Sequence, residues 1–323
     1  HAARSGARTH AGPADAAQRG AEPTVGGAAP PPRADLLARG RFPGPGAPVR
    51  CAVSGGADST ALLALAVAAG LTVTAIHVDH GLRTGSTAEA QVVRGNAERL
   101  GAAFRAERVH IVDGPNLEAR ARDARYSMLP PDVLTGHTAD DQAETVLVNL
   151  LRGGATSGLA GMRPGHRHPL LSLRRRETIA LCATLQLAVV DDPSNLDPRH
   201  LRNRVRHELL PLMDDLAQRD TVAVLARQAG LARDDDELLD TLAAALDPTD
   251  ARALAAAPIA LARRTVRRWL TLTHPPDAAT VARVLAVARG EAVATEVGGG
   301  RRVERHRQRL SLGPAEPHTH RVT

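Results

Sequence analysis

Apolar positions change period along the chain, and each change marks an element. A short apolar run, Cys51–Val53, breaks at Ser54-Gly55-Gly56; beyond Asp58, Leu62, Leu63 and Val67 recur on one side of a helical pattern. Leu71–Val78 reads as a second strand and Ala102–Val109 as a third. Between them Ala88–Leu100 predicts a helix, with Ala90, Val93, Ala97 and Leu100 inward and Gly101 as its C-cap. A helix over Leu117–Met128, a strand at Val133–Thr135 and a helix over 139–151 follow, then one more helix-to-strand step at Cys182–Val190. Strands separated by helices predict an α/β fold with a doubly wound parallel sheet.

The text then changes character. Leu201–Pro211 is helical, with Leu201, Val205 and Leu209 on one face, and Pro211 kinks or ends it. Leu216–Leu246, Leu261–Leu270 and Ala278–Arg289 predict further helices, and Glu291–Leu312 a hairpin turning at Gly298–Gly300. The expected division is a disordered leader and first helix over 1–45, the α/β unit over 46–214, a small mainly helical domain over 215–313, and a frayed tail over 314–323. The first 33 residues contain no apolar stretch of the secretory kind, and the chain opens on His1, which leaves the true start open.

In a doubly wound sheet, ligands bind beyond the carboxyl ends of the strands, and three polar motifs fall there. The first is SGGADS, Ser54, Gly55, Gly56, Ala57, Asp58 and Ser59. Adjacent glycines let backbone N–H groups approach an anion, and the following helix adds its unpaired N–H groups and positive dipole end. Such a turn cradles a di- or triphosphate; the bland alternative is an ordinary strand–turn–helix. It is not a Walker loop, because no G-x-x-x-x-G-K-[ST] occurs and the chain contains no lysine.

The second motif, HTADDQAET (His137–Thr145), puts Asp141 and Glu144 on one helix face with His137 just before it. Two carboxylates so placed suit Mg2+ shared with nucleotide phosphates; a capping box from Thr138 to Asp141 is the competing account. The third, HVDHGLR, brings Asp79 and His80 to a strand end as nucleotide-site candidates. In NLEARARDARY, Glu118, Arg122 and Arg125 share a helix; Glu118 and Arg122 form an i, i+4 pair on a solvated face, and one of the arginines has a candidate role at the nucleotide. Arg152 opens a glycine-rich stretch, LRGGATSGLAGM, that reads equally as a lid or a connector.

The net charge of +6 is carried by 41 arginines. Between Arg163 and Arg206 nine arginines face four acids, so the surplus is local and favours a phosphate-rich partner, RNA or DNA ahead of a membrane. Arg174, Arg175, Arg199, Arg202 and Arg206 are candidates for that contact, as are Arg263, Arg264, Arg267 and Arg268 on one predicted helix. No run of 18 apolar residues exists to span a bilayer. Cys51 and Cys182 are too few for a disulfide framework or a zinc site and fit a cytoplasmic location.

SGGADS resembles the pyrophosphate loop, or PP-loop, of N-type ATP pyrophosphatases, which are Rossmann-like. SGGADS, HVDHGLR, NLEARARDARY, GHTADDQAETVLVNLLRGG, SGLAGMRP, PLL and DPSNLDPRHLRNRVRHELLP together occur in the order of tRNA(Ile)-lysidine synthetase, in a short, actinobacterial-like form. The resemblance spans Val49 to Pro211, and the segment Tyr126–Thr135 is shorter than the family pattern. It implies a ligase using ATP and Mg2+ to adenylate C2 of the wobble cytidine of the isoleucine tRNA with anticodon CAU, after which the ε-amine of free lysine displaces AMP. It implies Asp58, Arg125, His137, Asp141 and Glu144 as catalytic, and Asp58, Asp141 and Glu144 as metal-holding. Monomer and homodimer stay open. A tRNA thiolase of the same fold, and a non-catalytic basic RNA-binding protein, are the alternatives; the first needs better-placed cysteines and the second a degenerate nucleotide site.

Overall fold

The computed structural model describes residues 33–79, 86–108 and 128–314. Strands β1 (Pro48–Ala52), β2 (Thr72–Asp79) and β3 (Ala103–Arg108) form a parallel sheet in that order. On the other edge of β1 the segment around Leu134 makes a parallel bridge to Cys51, with Leu134 N–H donating to Arg50 O (2.8 Å) and Ala52 N–H to Leu134 O (2.9 Å). The chain therefore progresses from β1 toward β3 and then returns to the far side of β1, which makes the β1 exit the topological switch point where α/β sheets bind ligands.

Helix α1 (Arg33–Arg39) packs on this unit through Leu36. Helix α2 (Ala57–Ala68) is buried on every side from Ser59 to Ala66, not on one face as its pattern suggested. It lies between the sheet and a later helix, and a helix covered all round is apolar all round. Helix α3 (Ser86–Leu100) sends Val93 and Ala97 into the same core, where Leu, Val and Ala supply nearly all of the volume. The expected leader up to residue 32, the helix Leu117–Met128 up to 127 and the tail from 315 lie outside the described residues.

Helices α4 (Ala139–Leu151), α5 (Thr156–Leu159) and α6 (Arg175–Thr184) follow. The strand expected at the end of Cys182–Val190 does not form. Leu187–Val190 runs as irregular chain, and Val190 N–H donates to Gly55 O (2.9 Å), propping the glycine turn. After a 3-10 turn at Pro193–Leu196, α7 (Leu201–Arg204) passes through a π turn at Val205–Leu209 into α8 (Leu210–Ala217). Pro211 therefore neither ends nor breaks the helix. The wide turn before it absorbs the missing N–H, and Gln218 in the left-handed region stops the run.

Helix α9 (Thr221–Ala244), capped by Asp220, packs against α4; Ala139, Ala143 and Leu147 meet Val205, Leu210 and Val222 in one cluster. A separate apolar cluster joins α10 (Ala251–Ala256), α11 (Ile259–Leu270) and α12 (Ala278–Arg289) to an antiparallel sheet of β4 (Ala294–Gly298), β5 (Arg301–His306) and β6 (Arg309–Pro314). The expected hairpin thus has a third strand. Its second turn runs through Arg307 at φ 54°, without a glycine to announce it. Among the described residues no helix is long and apolar enough to cross a membrane.

Candidate functional site

At the exit of β1, Gly55 sits at φ 98°, and a Cβ there would lie 2.9 Å from Val190 Cγ2, so the turn requires glycine twice over. Gly56 is the N-cap of α2, and no side chain caps it, leaving the first-turn N–H groups open to an anion. Ser59 braces the loop from inside: its hydroxyl accepts from Ser54 N–H (3.2 Å), donates to Gly56 O (3.0 Å) and lies 3.2 Å from Ser54 Oγ. Gly136, at the exit of the Leu134 segment, lies against this helix start; a Cβ would fall 2.7 Å from Asp58 O and 2.9 Å from Ser59 N.

Three carboxylates meet beside the loop. Asp58 comes from the first turn of α2, Asp141 and Glu144 from the first two turns of α4, and all three converge on one guanidinium. Arg175 Nε donates to Asp58 Oδ2 (3.1 Å), one terminal nitrogen to Glu144 Oε1 (2.9 Å) and the other to Asp141 Oδ1 (2.9 Å). Thr178 Oγ1 also donates to Asp58. Glu144 is completely buried and receives Arg202 Nε (2.8 Å) and Arg206 (2.7 and 3.0 Å) as well. Asp141 Oδ2 accepts from Thr138 N–H and Oγ1 (2.9 and 3.0 Å), so the capping box exists and its other oxygen still faces the cluster. Asp140 turns away from that centre and receives both Arg174 and the backbone N–H of Arg175.

The electrostatics follow from this packing. Burial works against the charge on Glu144, but the hydrogen bond from Arg206 and the charges of Arg175, Arg206 and Arg202 overcome it and hold its carboxyl at about 2. Asp140 is likewise held low, by Arg174 and Arg175 against burial. At Asp58 the balance reverses: desolvation outweighs Arg175 and Thr178 and pushes the carboxyl up. Carboxylate oxygens converging on a single cation are the hard donor set that magnesium takes, and the uncapped helix start beside them supplies N–H donors for phosphate. Among the described residues no three Asp, Glu, His or Cys side chains are grouped closely enough to enclose a metal ion, so the residues fit phosphate directly and Mg2+ as an ion shared between carboxylates and phosphate.

His137 stands before α4 with an unexpected companion. Thr135 Oγ1 lies 2.8 Å from His137 Nδ1 and 2.7 Å from His168 Nδ1, and the rings meet edge to face at 5.1 Å. Burial, and then Arg167, push the His168 imidazole below its ordinary value. Asp79 closes β2 at the same sheet edge. His80 and Arg125 lie outside the described residues.

The arginines expected on an RNA face divide. Arg174, Arg175, Arg202 and Arg206 are spent on Asp140, Asp220, Asp58, Asp141 and Glu144. Arg199 is exposed and pairs with Asp197. On α11, Arg264 is drawn to Asp236 and Asp240 of α9 (2.7 and 2.8 Å), and Arg268 donates to Asp240 O, while Arg263 and Arg267 are exposed. Arg152 lies at the opposite end of α4 from the carboxylates, eleven residues from Asp141 and therefore roughly 16 Å away at 1.5 Å per residue. The glycine-rich stretch after it is a tethered connector. Asn149 Nδ2 donates to Gly158 O, Gln142 bonds both backbone groups of Met162, and Arg233 donates to Ala160 O and Met162 O.

Sequence reasoning missed Arg175 as the hub, Thr178, Gly136 and His168. Arg175 carried one signal: three successive arginines at a helix N-terminus oppose the dipole, so they need acids from elsewhere in the fold. His168, a single histidine in a loop, carried none.

Comparison with known proteins matches residues 44–213 to the PP-loop domain family. The tRNA(Ile)-lysidine synthase of Nocardia farcinica is 46% identical over 245 residues, spanning 71% of this chain and 77% of that protein. Its counterpart from Mycobacterium leprae is 44% identical over 238 residues (68% and 73%), and that from Streptomyces coelicolor 40% over 272 residues (75% and 77%). Among solved structures, the U34-tRNA thiolase NcsA from Methanococcus maripaludis superposes with a TM-score of 0.51 at 17% identity, over 62% of this chain and 78% of that one. That likeness is one of fold.

Proposed function

This chain belongs to the tRNA(Ile)-lysidine synthase family, built on a PP-loop domain, and we propose that it converts the wobble cytidine of the isoleucine tRNA with anticodon CAU into lysidine, using ATP and free lysine. It is an ATP-dependent ligase forming a C–N bond. The cytosine C2 oxygen attacks the α-phosphorus and pyrophosphate leaves; the lysine ε-amine then attacks C2 and AMP departs. The unit over 46–214 does the chemistry, the part over 215–313 helps hold the tRNA, and the reaction takes place in the cytoplasm.

One observation carries this reading: Asp58, Asp141 and Glu144 converge beside an uncapped helix start at the switch point of the sheet. The N–H groups of residues 55–58 hold the β- and γ-phosphates, and donors fixed in advance cost no reorganisation as charge moves onto the leaving pyrophosphate. Asp58, Asp141 and Glu144 are the residues that would hold Mg2+, which would neutralise phosphate charge. Before substrate arrives, Arg175 sits among the three carboxylates and cancels their mutual repulsion. His137, steadied through Thr135, donates to a phosphate oxygen when ATP is bound.

The thiolase reading is not favoured. Burial pushes the Cys51 thiol up to about 12 and the Cys182 thiol up to about 11, so neither is a ready thiolate. The test is pyrophosphate release from ATP by the purified protein with the tRNA transcript and lysine. Turnover should require both, and Asp58→Asn should lower kcat by roughly 100-fold while tRNA affinity stays unchanged. Turnover without lysine, or tRNA binding with no turnover at all, overturns the proposal.

A further inference from the structure

A cleft of about 570 Å3 opens at the far end of α4 from the carboxylates, between the tethered glycine-rich connector and the α11–α12 corner. Arg152 reaches it from the end of α4 and Arg267 from the outer face of α11. Both are exposed, and neither has an ion pair among the described residues, unlike the arginines around Glu144. Asn149, Ser157 and the backbone of Gly153 and Gly154 line the floor. The one acid on the rim, Asp277, is engaged in capping α12 through Thr280 N–H (2.7 Å), and its carboxyl is held low by Thr280.

We propose that this cleft binds the sugar–phosphate backbone of the tRNA strand that runs on from the reacting nucleotide, with Arg152 and Arg267 as a phosphate clamp. The inference rests on the tRNA-modifying function above. The volume suits a nucleotide-sized group, but no aromatic side chain lines it. Without a stacking platform or an opposed set of base-edge partners, the cleft grips phosphate and reads no sequence. Helix α4 then works as a spacer: its first turns hold the reaction centre, and Arg152 just past its end, roughly 16 Å on, meets the strand a few nucleotides away. The walls are fixed before RNA arrives, by Asn149 to Gly158, by Arg233 to Ala160 and Met162, and by Arg264 to Thr156 Oγ1 (3.3 Å). Little ordering remains to oppose binding.

The experiment compares the full chain with an Arg152→Gln/Arg267→Gln double variant, using the tRNA transcript, a non-cognate tRNA, ATP and inorganic phosphate as probes. The double variant should keep its melting temperature and its KM for ATP, and bind both tRNAs about tenfold more weakly at 50 mM salt. The slope of log K against log salt should fall by about 1.4, two phosphate contacts at about 0.7 each. Arg→Lys at both positions should restore most of the affinity. An unchanged salt slope overturns the proposal. So does a raised KM for ATP, or competition by inorganic phosphate, with normal tRNA binding, which assigns the cleft to a free nucleotide or phosphate. Loss of discrimination between the two tRNAs also overturns it, because the cleft would then read bases. A wild-type protein that binds tRNA with this salt dependence but makes no lysine adduct sinks the enzymatic reading and leaves the clamp standing.

Discussion

The arginines of residues 174–206 and those of helix α11 look alike in the sequence and occupy opposite electrostatic environments. Arg174, Arg175, Arg202 and Arg206 have side chains only 17 to 32% exposed, and each is locked to carboxylates. Arg263 and Arg267 project from α11 into solvent. Counting charge along the chain finds the surplus in the first region, because it sees only acids that are neighbours in sequence. The fold brings Asp58, Asp140, Asp141, Glu144 and Asp220 from other segments and consumes that surplus internally. Arg263 and Arg267 of the second region, and Arg152, are exposed and have no such partners among the described residues.

The deepest way to break this contrast is to remove the carboxylate on which three arginines depend. Glu144→Ala leaves Arg202 and Arg206 with weak contacts to Asp141 alone, at 3.3 and 3.7 Å. Deleting one partner of a buried ionic network costs about 3 to 5 kcal/mol, readable as a drop in the urea midpoint. The network also predicts an acid limb. In metal-free buffer the folded Glu144 carboxyl, held at about 2 against an ordinary 4.5, takes its proton later than the unfolded chain does. Its contribution, roughly 3 kcal/mol, is complete above about pH 4.5 and fades as pH falls toward 2. Glu144→Gln should lack that limb. Asp58, pushed up chiefly by burial, acts with the opposite sign, so Asp58→Asn should steepen it.

A smaller but sharper effect is expected from one methyl group at Gly136. The neighbours that a Cβ would meet are backbone atoms of Asp58 and Ser59, so relief requires moving the glycine turn itself. Gly136→Ala should cost about 1 to 3 kcal/mol in stability and, because reacting groups shift, roughly 100-fold in kcat/KM for ATP. Unchanged tRNA affinity in the same variant would show that the two regions fail independently; a parallel loss would show that they are coupled.

Some of this was legible in the amino acids and some could not be. The apolar run into paired glycines located the turn at 54–56, and Thr138 three residues before Asp141 located the start of α4. Both are local rules, set by backbone freedom and by capping. Leu187–Val190 misled for an equally physical reason: an apolar run suggests a buried strand, but here only Leu187 is buried, Val189 is exposed, and Val190 supports Gly55 without pairing in the sheet. Pro211 read as a break because nothing local announces the π turn that accommodates it. Arg175 illustrates the general limit. Its partners lie 117, 34 and 31 residues away in the chain, so its role is set by topology.

The finest test of the contrast lies within one helix. Arg264 and Arg263 are adjacent on α11, yet Arg264 is 17% exposed and bound to Asp236 and Asp240, while Arg263 faces solvent. Asp236 is itself buried, at 7% exposure. Arg264→Gln therefore leaves a buried carboxylate short of its partner and should cost about 1 to 3 kcal/mol, with no change in the salt slope of tRNA binding. Arg263→Gln should leave the melting temperature alone, weaken tRNA binding about twofold, and lower the salt slope by about 0.7, one phosphate contact on a single strand. Thermal melts and salt titrations on the two variants separate these outcomes. If the salt slope follows Arg264 and ignores Arg263, the polyanion meets the face of α11 that packs toward α9, and the division between spent and available arginines fails at the residue pair where it is drawn most narrowly.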